Sequence, residues 1–343
     1  MPNQEQLKRF KPEELLYELR VRAALSRGDR KPIVATRFAD HPLSAFRAPN
    51  AARTMKPHPE LTEMPSEEIF EAVRAQQKAI YGVDDRLDII NVGDADVQRA
   101  AESVAALFHA PDVTSNQNGT SSVRVENFGT AYDLCQNERF RTQPIGAFCS
   151  GFLVGLDLIA TAGHCAKAID VRDRRCVFGY RMLDDNNAQT SIPDSEIYKG
   201  IEIIGRVLTP EGADWAIIRL DRRVEGHTVA RIRRTGMAAA DQEVYVIGHP
   251  VGLPLKYAGG AAITDNSPST YFSANLDTFG GNSGSPVFSV VDGEHIAEGI
   301  LVRGETDFVE VNGCTRSQVY PTTGQMGENC TRVAEFAHLI PEI

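Results

Sequence analysis

The 343-residue sequence predicts an all-β body, a sandwich or barrel of many short strands, behind a partly helical N-terminal region. Three observations carry this expectation. From about Ala79 onward, short apolar or alternating runs recur between turn signals: "AFCSGFLVG", "DLIATAG", "RCVFGYRML", "ADWAIIRLD", "QEVYVIGHP", "SPVFSVV" and "IAEGILVRG". Evenly spaced runs of this kind are the texture of an all-β domain. Residues 1–66 instead hold eight of the 18 prolines, two helix signals lie within residues 1–82, and a helical pattern returns only at the end, in "TRVAEFAHLI".

The first helix signal is "KPEELLYELRVRAALSRGD", with Leu15, Leu16, Leu19 and Ala23 on one side, Pro12 at its start and Gly28 at its end. After it, "HPLSAFRAPNAARTMKPHPE" reads as extended chain, either a linker or a segment draped over another surface. "PSEEIFEAVRAQQKAIYG" is the second helix signal, with Ser66 as N-cap and acidic residues in the first turn. The chain therefore divides into a leader, residues 1–78, and a β-rich body, residues 79–343.

The formal charge of −10 argues against nucleic acid as the main partner. Charge is unevenly spread: residues 1–58 hold twelve basic and six acidic residues, leaving 24 basic and 40 acidic for the rest. No apolar run approaches membrane-spanning length, and the N-terminus lacks the apolar core of a secretory signal. The six cysteines point the other way, since an even count is compatible with three disulfides and an oxidising compartment. Secretion or another extracytoplasmic setting is the expectation; the cytoplasm is the alternative if the thiols are reduced. No C-x-x-C pair suggests zinc, and "LDDNNA" lacks the alternating oxygen ligands of a calcium loop. No metal or cofactor is expected.

Chemistry concentrates in three places. A serine hydroxyl attacks a carbonyl poorly unless a base takes its proton, and histidine is the usual base. "LIATAGHCAKA" places His164 directly after an apolar strand and a tight turn. "EGADWAIIRLD" places Asp214 at the mouth of another strand, where a buried carboxylate would orient an imidazole. "DTFGGNSGSPVF" places Ser283 among glycines, a setting that taken alone also suits an ordinary turn.

In the order His, Asp, Ser, with "TAGHC" and "GNSGSP" around them, these residues resemble the chymotrypsin/trypsin-like serine protease superfamily. The resemblance implies two six-stranded antiparallel barrels side by side, closed by a C-terminal helix. His164 and Asp214 would come from the first barrel and the nucleophile Ser283 from the second. It further implies an oxyanion hole from the N–H groups of Gly281 and Ser283, and a disulfide between Cys149 and Cys165. With that bond given, Cys314–Cys330 and Cys135–Cys176 become the natural remaining pairs. The substrate would be an extended peptide or protein, bound by strand-like pairing to a monomer.

"GGNSGSPVF", "IYGVDDRLDI" and "VIGHPVG" are similar to the bacterial glutamyl-endopeptidase branch, over roughly residues 79–343. That branch would begin its mature chain near Ala79, making residues 1–78 a propeptide; the alternative is a module that stays attached. Its pocket threonine is matched by Thr278, but its pocket histidine is replaced by Leu301. Asp277, six residues before Ser283, matches instead the pocket-base aspartate of trypsin, and Gly304 a glycine that leaves room for a long side chain. Arg303 is the residue that could fold in and neutralise Asp277. The expectation is cleavage after Arg or Lys, which would make Lys78 self-recognisable. The alternatives are a Glu-specific endopeptidase and a catalytically silent scaffold of the same fold.

Overall fold

In the computed structural model, the β-rich body closes into two barrels. The structure describes residues 80–167, 170–209, 212–304, 307–321 and 327–342, together with 15, 18, 59–62, 64, 65 and 69. The chain divides into two compact units, residues 1–77 and 78–343, and both barrels belong to the second. Leu15, Glu18 and Ile69 are helical, and a short helix covers Pro59–Thr62. The rest of the two expected leader helices lies outside the described residues, except that Ile80–Tyr81, at the end of the second signal, forms a short strand.

The first barrel is built from β1 (Val104–His109), β2 (Cys149–Gly155), β3 (Leu158–Thr161), β4 (Arg174–Val177), β5 (Ile197–Leu208) and β6 (Asp214–Leu220). Every neighbouring pair is antiparallel, in the closed order β1-β2-β3-β6-β5-β4. The second uses β7 (Glu243–Gly248), β8 (Lys256–Asp265), β9 (Tyr271–Ala274), β10 (Pro286–Val291), β11 (Glu294–Arg303) and β12 (Glu328–Arg332). Its order, β7-β8-β9-β12-β11-β10, is again antiparallel throughout and closes through β11 and β12. The two barrels thus share one connectivity.

β2, "CSGFLVG", is buried at all seven positions, and β6, "DWAIIRL", at all but Arg219. Such strands lack strict alternation because one face fills the barrel and the other is covered by neighbours. One apolar cluster runs through both barrels, joining Leu107, Phe152 and Ile217 to Ile247, Phe288 and Ile300. A second, with Val246, Phe272 and Leu301, fills the later barrel. The C-terminal helical segment takes the form of two 3-10 turns, Val333–Glu335 and Ala337–Leu339. Phe336 interrupts them at φ −125° and packs its ring 5.4 Å from that of Trp215.

Cys149 and Cys165 are bonded, as the resemblance implies. The other expected pairs are not formed: Cys135 joins Cys314, while Cys176 and Cys330 are buried thiols outside any disulfide. The reason lies in tertiary placement. Cys176 belongs to β4 and Cys330 to β12, each inside a different barrel, whereas Cys135 and Cys314 sit on surface segments that meet where Cys135 N–H donates to Thr315 O at 2.9 Å.

His227 ties the first barrel together. Its Nδ1 lies 2.9 Å from Glu102 O, its Nε2 lies 2.6 Å from Glu196 Oε2, and its ring stacks on Phe178 at 4.2 Å. Burial acts to lower its pKa, but the bonds to Glu102 and Glu196 outweigh it and raise it to about 8. A raised histidine pKa stabilises the fold fully below about 6.5 and loses that stabilisation as pH rises through about 8. Because part of the cluster faces solvent, the contribution is held to about 1 kcal/mol. Relative to His227→Gln, the wild-type melting temperature should therefore fall by about 2–4 °C between pH 6.5 and 8.5, measured by thermal denaturation.

Candidate active site

His164 sits on a 3-10 turn, Gly163–Cys165, at the end of β3. The turn passes so close to β5 that a Cβ on Gly163 would lie 2.4 Å from Val207 O and 3.0 Å from Asp214 Oδ1. Asp214 opens β6 and is fully buried. One of its oxygens, Oδ2, lies 2.8 Å from His164 Nδ1, and the other accepts the His164 backbone N–H at 3.1 Å. The same carboxylate therefore fixes both the ring and the main chain that carries it. An ionised carboxylate only accepts, so Nδ1 carries a proton, and in the neutral ring Nε2 holds the lone pair. Nε2 is buried and has no hydrogen-bond partner among the described residues. Unsatisfied buried polar atoms are rare in folded proteins and call for an explanation.

Ser283 lies in a turn leading into β10. Gly281 (φ 80°) and Gly284 (φ 90°) flank it in the left-handed region. Gly284 also permits close approach, since a Cβ there would meet Ser150 O at 2.0 Å and Thr161 Oγ1 at 2.3 Å. The Ser283 carbonyl accepts from Ser150 N–H at 2.8 Å and lies 3.8 Å from Cys165 Sγ, next in sequence to His164. The turn is thus seated on the first barrel beside the histidine. No hydrogen bond joins Ser283 Oγ to His164 Nε2, a link that in unliganded sites often forms only with substrate in place. The Gly281 N–H likewise has no acceptor among the described residues.

Residues 149–297, from β2 to β11, match the trypsin-like peptidase domain. Over these residues the chain is similar to a trypsin-like peptidase domain, and its two closed antiparallel barrels have the chymotrypsin-like double-barrel arrangement. The match spans His164, Asp214 and Ser283. Among curated proteins none matches the chain.

Behind the serine turn, Asp277 is held by main-chain donors. Its Oδ1 accepts from Tyr81 N–H and its Oδ2 from Asp85 N–H, both at 2.7 Å. Burial pushes its pKa up to about 6, although the two amides act in the opposite sense. A carboxylate engaged in this way anchors residues 81–85 rather than lying open at the floor of a pocket. Thr278 accepts from Asn282 Nδ2 at 2.5 Å, while Asn282 Oδ1 accepts from Ser285 Oγ at 2.8 Å, so the turn is braced from within. Arg303 makes no ion pair with Asp277; it donates to Gly212 O at 3.4 Å and lies 5.2 Å from the Tyr271 ring centre. The room beside Gly304 is filled, because a Cβ there would lie 2.0 Å from both carboxylate oxygens of Glu328. Glu328 is fully buried on β12 and accepts from Tyr81 Oη at 3.3 Å. Its place here was not readable from "GENCTR", where nothing marks the glutamate as buried.

Arg86 lies across the back of the same turn, 3.7 Å from the Phe279 ring centre, and its guanidinium is paired with Asp84 at 2.7 Å. The turn thus rests on internal amides and side chains of residues 81–86, not on a terminal amine. At Gly281, φ 80° excludes a β-branched residue. Gly281→Val should lower kcat about a hundred- to a thousandfold and, through strain at φ 80°, also lower the melting temperature by several degrees, with the β-sheet circular dichroism retained. Unchanged turnover would show that the backbone here plays no part.

Proposed function

We propose that the protein is a serine endopeptidase working through Ser283, His164 and Asp214. The observation that carries this reading is the buried His164–Asp214 pair, whose Nε2 lacks a hydrogen-bond partner beside the Ser283 turn. His164 Nε2 takes the Ser283 proton as Oγ attacks the scissile carbonyl, and Asp214 stabilises the imidazolium that forms. The N–H groups of Gly281 and Ser283 donate to the oxyanion of the tetrahedral intermediate. Collapse breaks the C–N bond, His164 returns the proton to the leaving amine, and water then hydrolyses the acyl-enzyme by the same steps in reverse.

For the residue before the scissile bond the proposal is arginine or lysine. The support is the buried carboxylate of Glu328, which lies against Gly304; Asp277 is committed to the Tyr81 and Asp85 amides and is not the pocket base in this reading. A glutamate side chain would meet no histidine at position 301: Leu301 is buried, and its N–H donates to Ser285 O at 2.9 Å. We extend the proposal to the resemblance with the glutamyl-endopeptidase branch, with residues 1–78 a removable or regulatory leader. The two disulfides support an extracytoplasmic site of action. No helix among the described residues is long and apolar enough to cross a membrane.

Incubation of wild type and Ser283→Ala with a mixed peptide library tests the reading. Wild type should cut after Arg and Lys, and Ser283→Ala should not cut. Cuts after Glu would replace the specificity assignment. Absence of Ser283-dependent cutting, even after residues 1–78 are removed, would overturn the peptidase assignment in favour of a scaffold.

A further inference from the structure

The two glycines before Asn282 pose a mechanical problem. A Gly-Gly peptide is the most easily rotated unit in a chain, yet the direction of the Gly281 N–H must stay fixed if it is to meet an oxyanion. Two bonds restrain it. Val251 N–H donates to Gly280 O at 2.5 Å, which orients the 280–281 peptide plane. Because a trans peptide points its N–H opposite to its C=O, holding Gly280 O on one side turns the Gly281 N–H to the other. Gly280 N–H donates to Asp307 Oδ2 at 2.7 Å, which orients the 279–280 plane. Consecutive planes are thus each held by a partner outside the turn.

Both partners show signs of being built for the task. Val251 is a buried β-branched residue at φ 47°, ψ 19°, a conformation that is costly for such a side chain and that tends to occur at functional sites. Asp307 is a buried carboxylate at the base of a hairpin, Phe308–Val311 and Cys314–Ser317. The hairpin is fastened at three places. Cys314 is bonded to Cys135, Gln318 N–H donates to Asp307 O at 2.8 Å, and the Phe308 ring packs 4.6 Å from that of Phe279. Phe279 immediately precedes Gly280, so the hairpin docks on the turn through two adjacent residues.

We infer that Asp307 is a positioning residue for the oxyanion turn, holding the Gly280 peptide so that the Gly281 N–H faces the reacting carbonyl. The inference rests on the peptidase reading above. Asn282 is neutral and spends its side chain inside the turn, on Thr278 and Ser285, so the charge-assisted restraint on this loop from outside comes from Asp307.

The test compares wild type, Asp307→Ala and Asp307→Asn for kcat, KM and inhibition by a peptide aldehyde, which forms a tetrahedral adduct on the serine. Asp307→Ala should lose about ten- to a hundredfold in kcat, with KM within about twofold and aldehyde affinity falling by the same factor as kcat. Asp307→Asn, which keeps an acceptor oxygen but loses the charge, should recover part of the loss and stay severalfold below wild type in both kcat and aldehyde affinity. A merely structural role would lower melting temperature without moving kcat and aldehyde affinity together. If Asp307→Ala does not fold, Asp307→Asn decides alone: a severalfold parallel drop in kcat and aldehyde affinity supports the assignment, and no change in either overturns it. Ser283→Ala separates the two levels. A wild type without Ser283-dependent cutting removes the peptidase reading itself; a cutting wild type with unaffected Asp307 variants removes only the role of Asp307.

Discussion

The buried contact between Asp214 and His164 is the constraint on which the rest of the site depends. Burying a carboxylate away from water is costly unless hydrogen bonds replace its hydration. Here the His164 ring nitrogen and backbone N–H together supply that replacement, one to each oxygen. The same bonds hold a proton on Nδ1. A fold that holds an aspartate in this way at the end of β6 obliges β3 to end in a tight glycine turn, because no side chain fits between Gly163 and β5.

The second requirement is that the two barrels meet closely enough for a serine on one to approach a histidine on the other. Ser150 of β2 is the meeting point: its N–H donates to Ser283 O, its Oγ accepts from His249 N–H at 2.9 Å, and its carbonyl accepts from Thr161 Oγ1 at 2.7 Å. Asp214 N–H reaches across to Thr331 Oγ1 on β12 at 3.0 Å. Gly284 permits the approach, because a Cβ there would meet Ser150 O and Thr161 Oγ1 of the first barrel. Residues 80–86 and the 307–317 segment then brace the far side of the serine turn. The geometry of the candidate site is thus shared among a barrel seam, the Ile80–Tyr81 strand and a hairpin.

The strands were legible in the sequence because covered barrel strands are short apolar runs bounded by turn residues. The His164–Asp214 contact was legible because each residue lies at a strand end in a compact local pattern. The remaining features depend on contacts between distant segments, which no local pattern encodes. Asp277 reads as a pocket base by its distance from Ser283, but its character is decided by amides of Tyr81 and Asp85, almost two hundred residues earlier. Glu328 and Asp307 look like ordinary surface acids until β12 and the hairpin bring them inside. The Cys135–Cys314 bond joins loops 179 residues apart, while the nearer candidates Cys176 and Cys330 are enclosed in separate barrels. The closing segment has helical spacing, but over Val333–Leu339 it settles into 3-10 turns around Phe336.

Mass-spectrometric mapping of a fluorophosphonate adduct, on wild type and on His164→Ala, tests the central claim most directly. A single adduct on Ser283, formed about a hundredfold or more slowly in His164→Ala, is the predicted result. Labelling elsewhere, or labelling of Ser283 at the same rate without the imidazole, would contradict the assignment of Nε2 as the base.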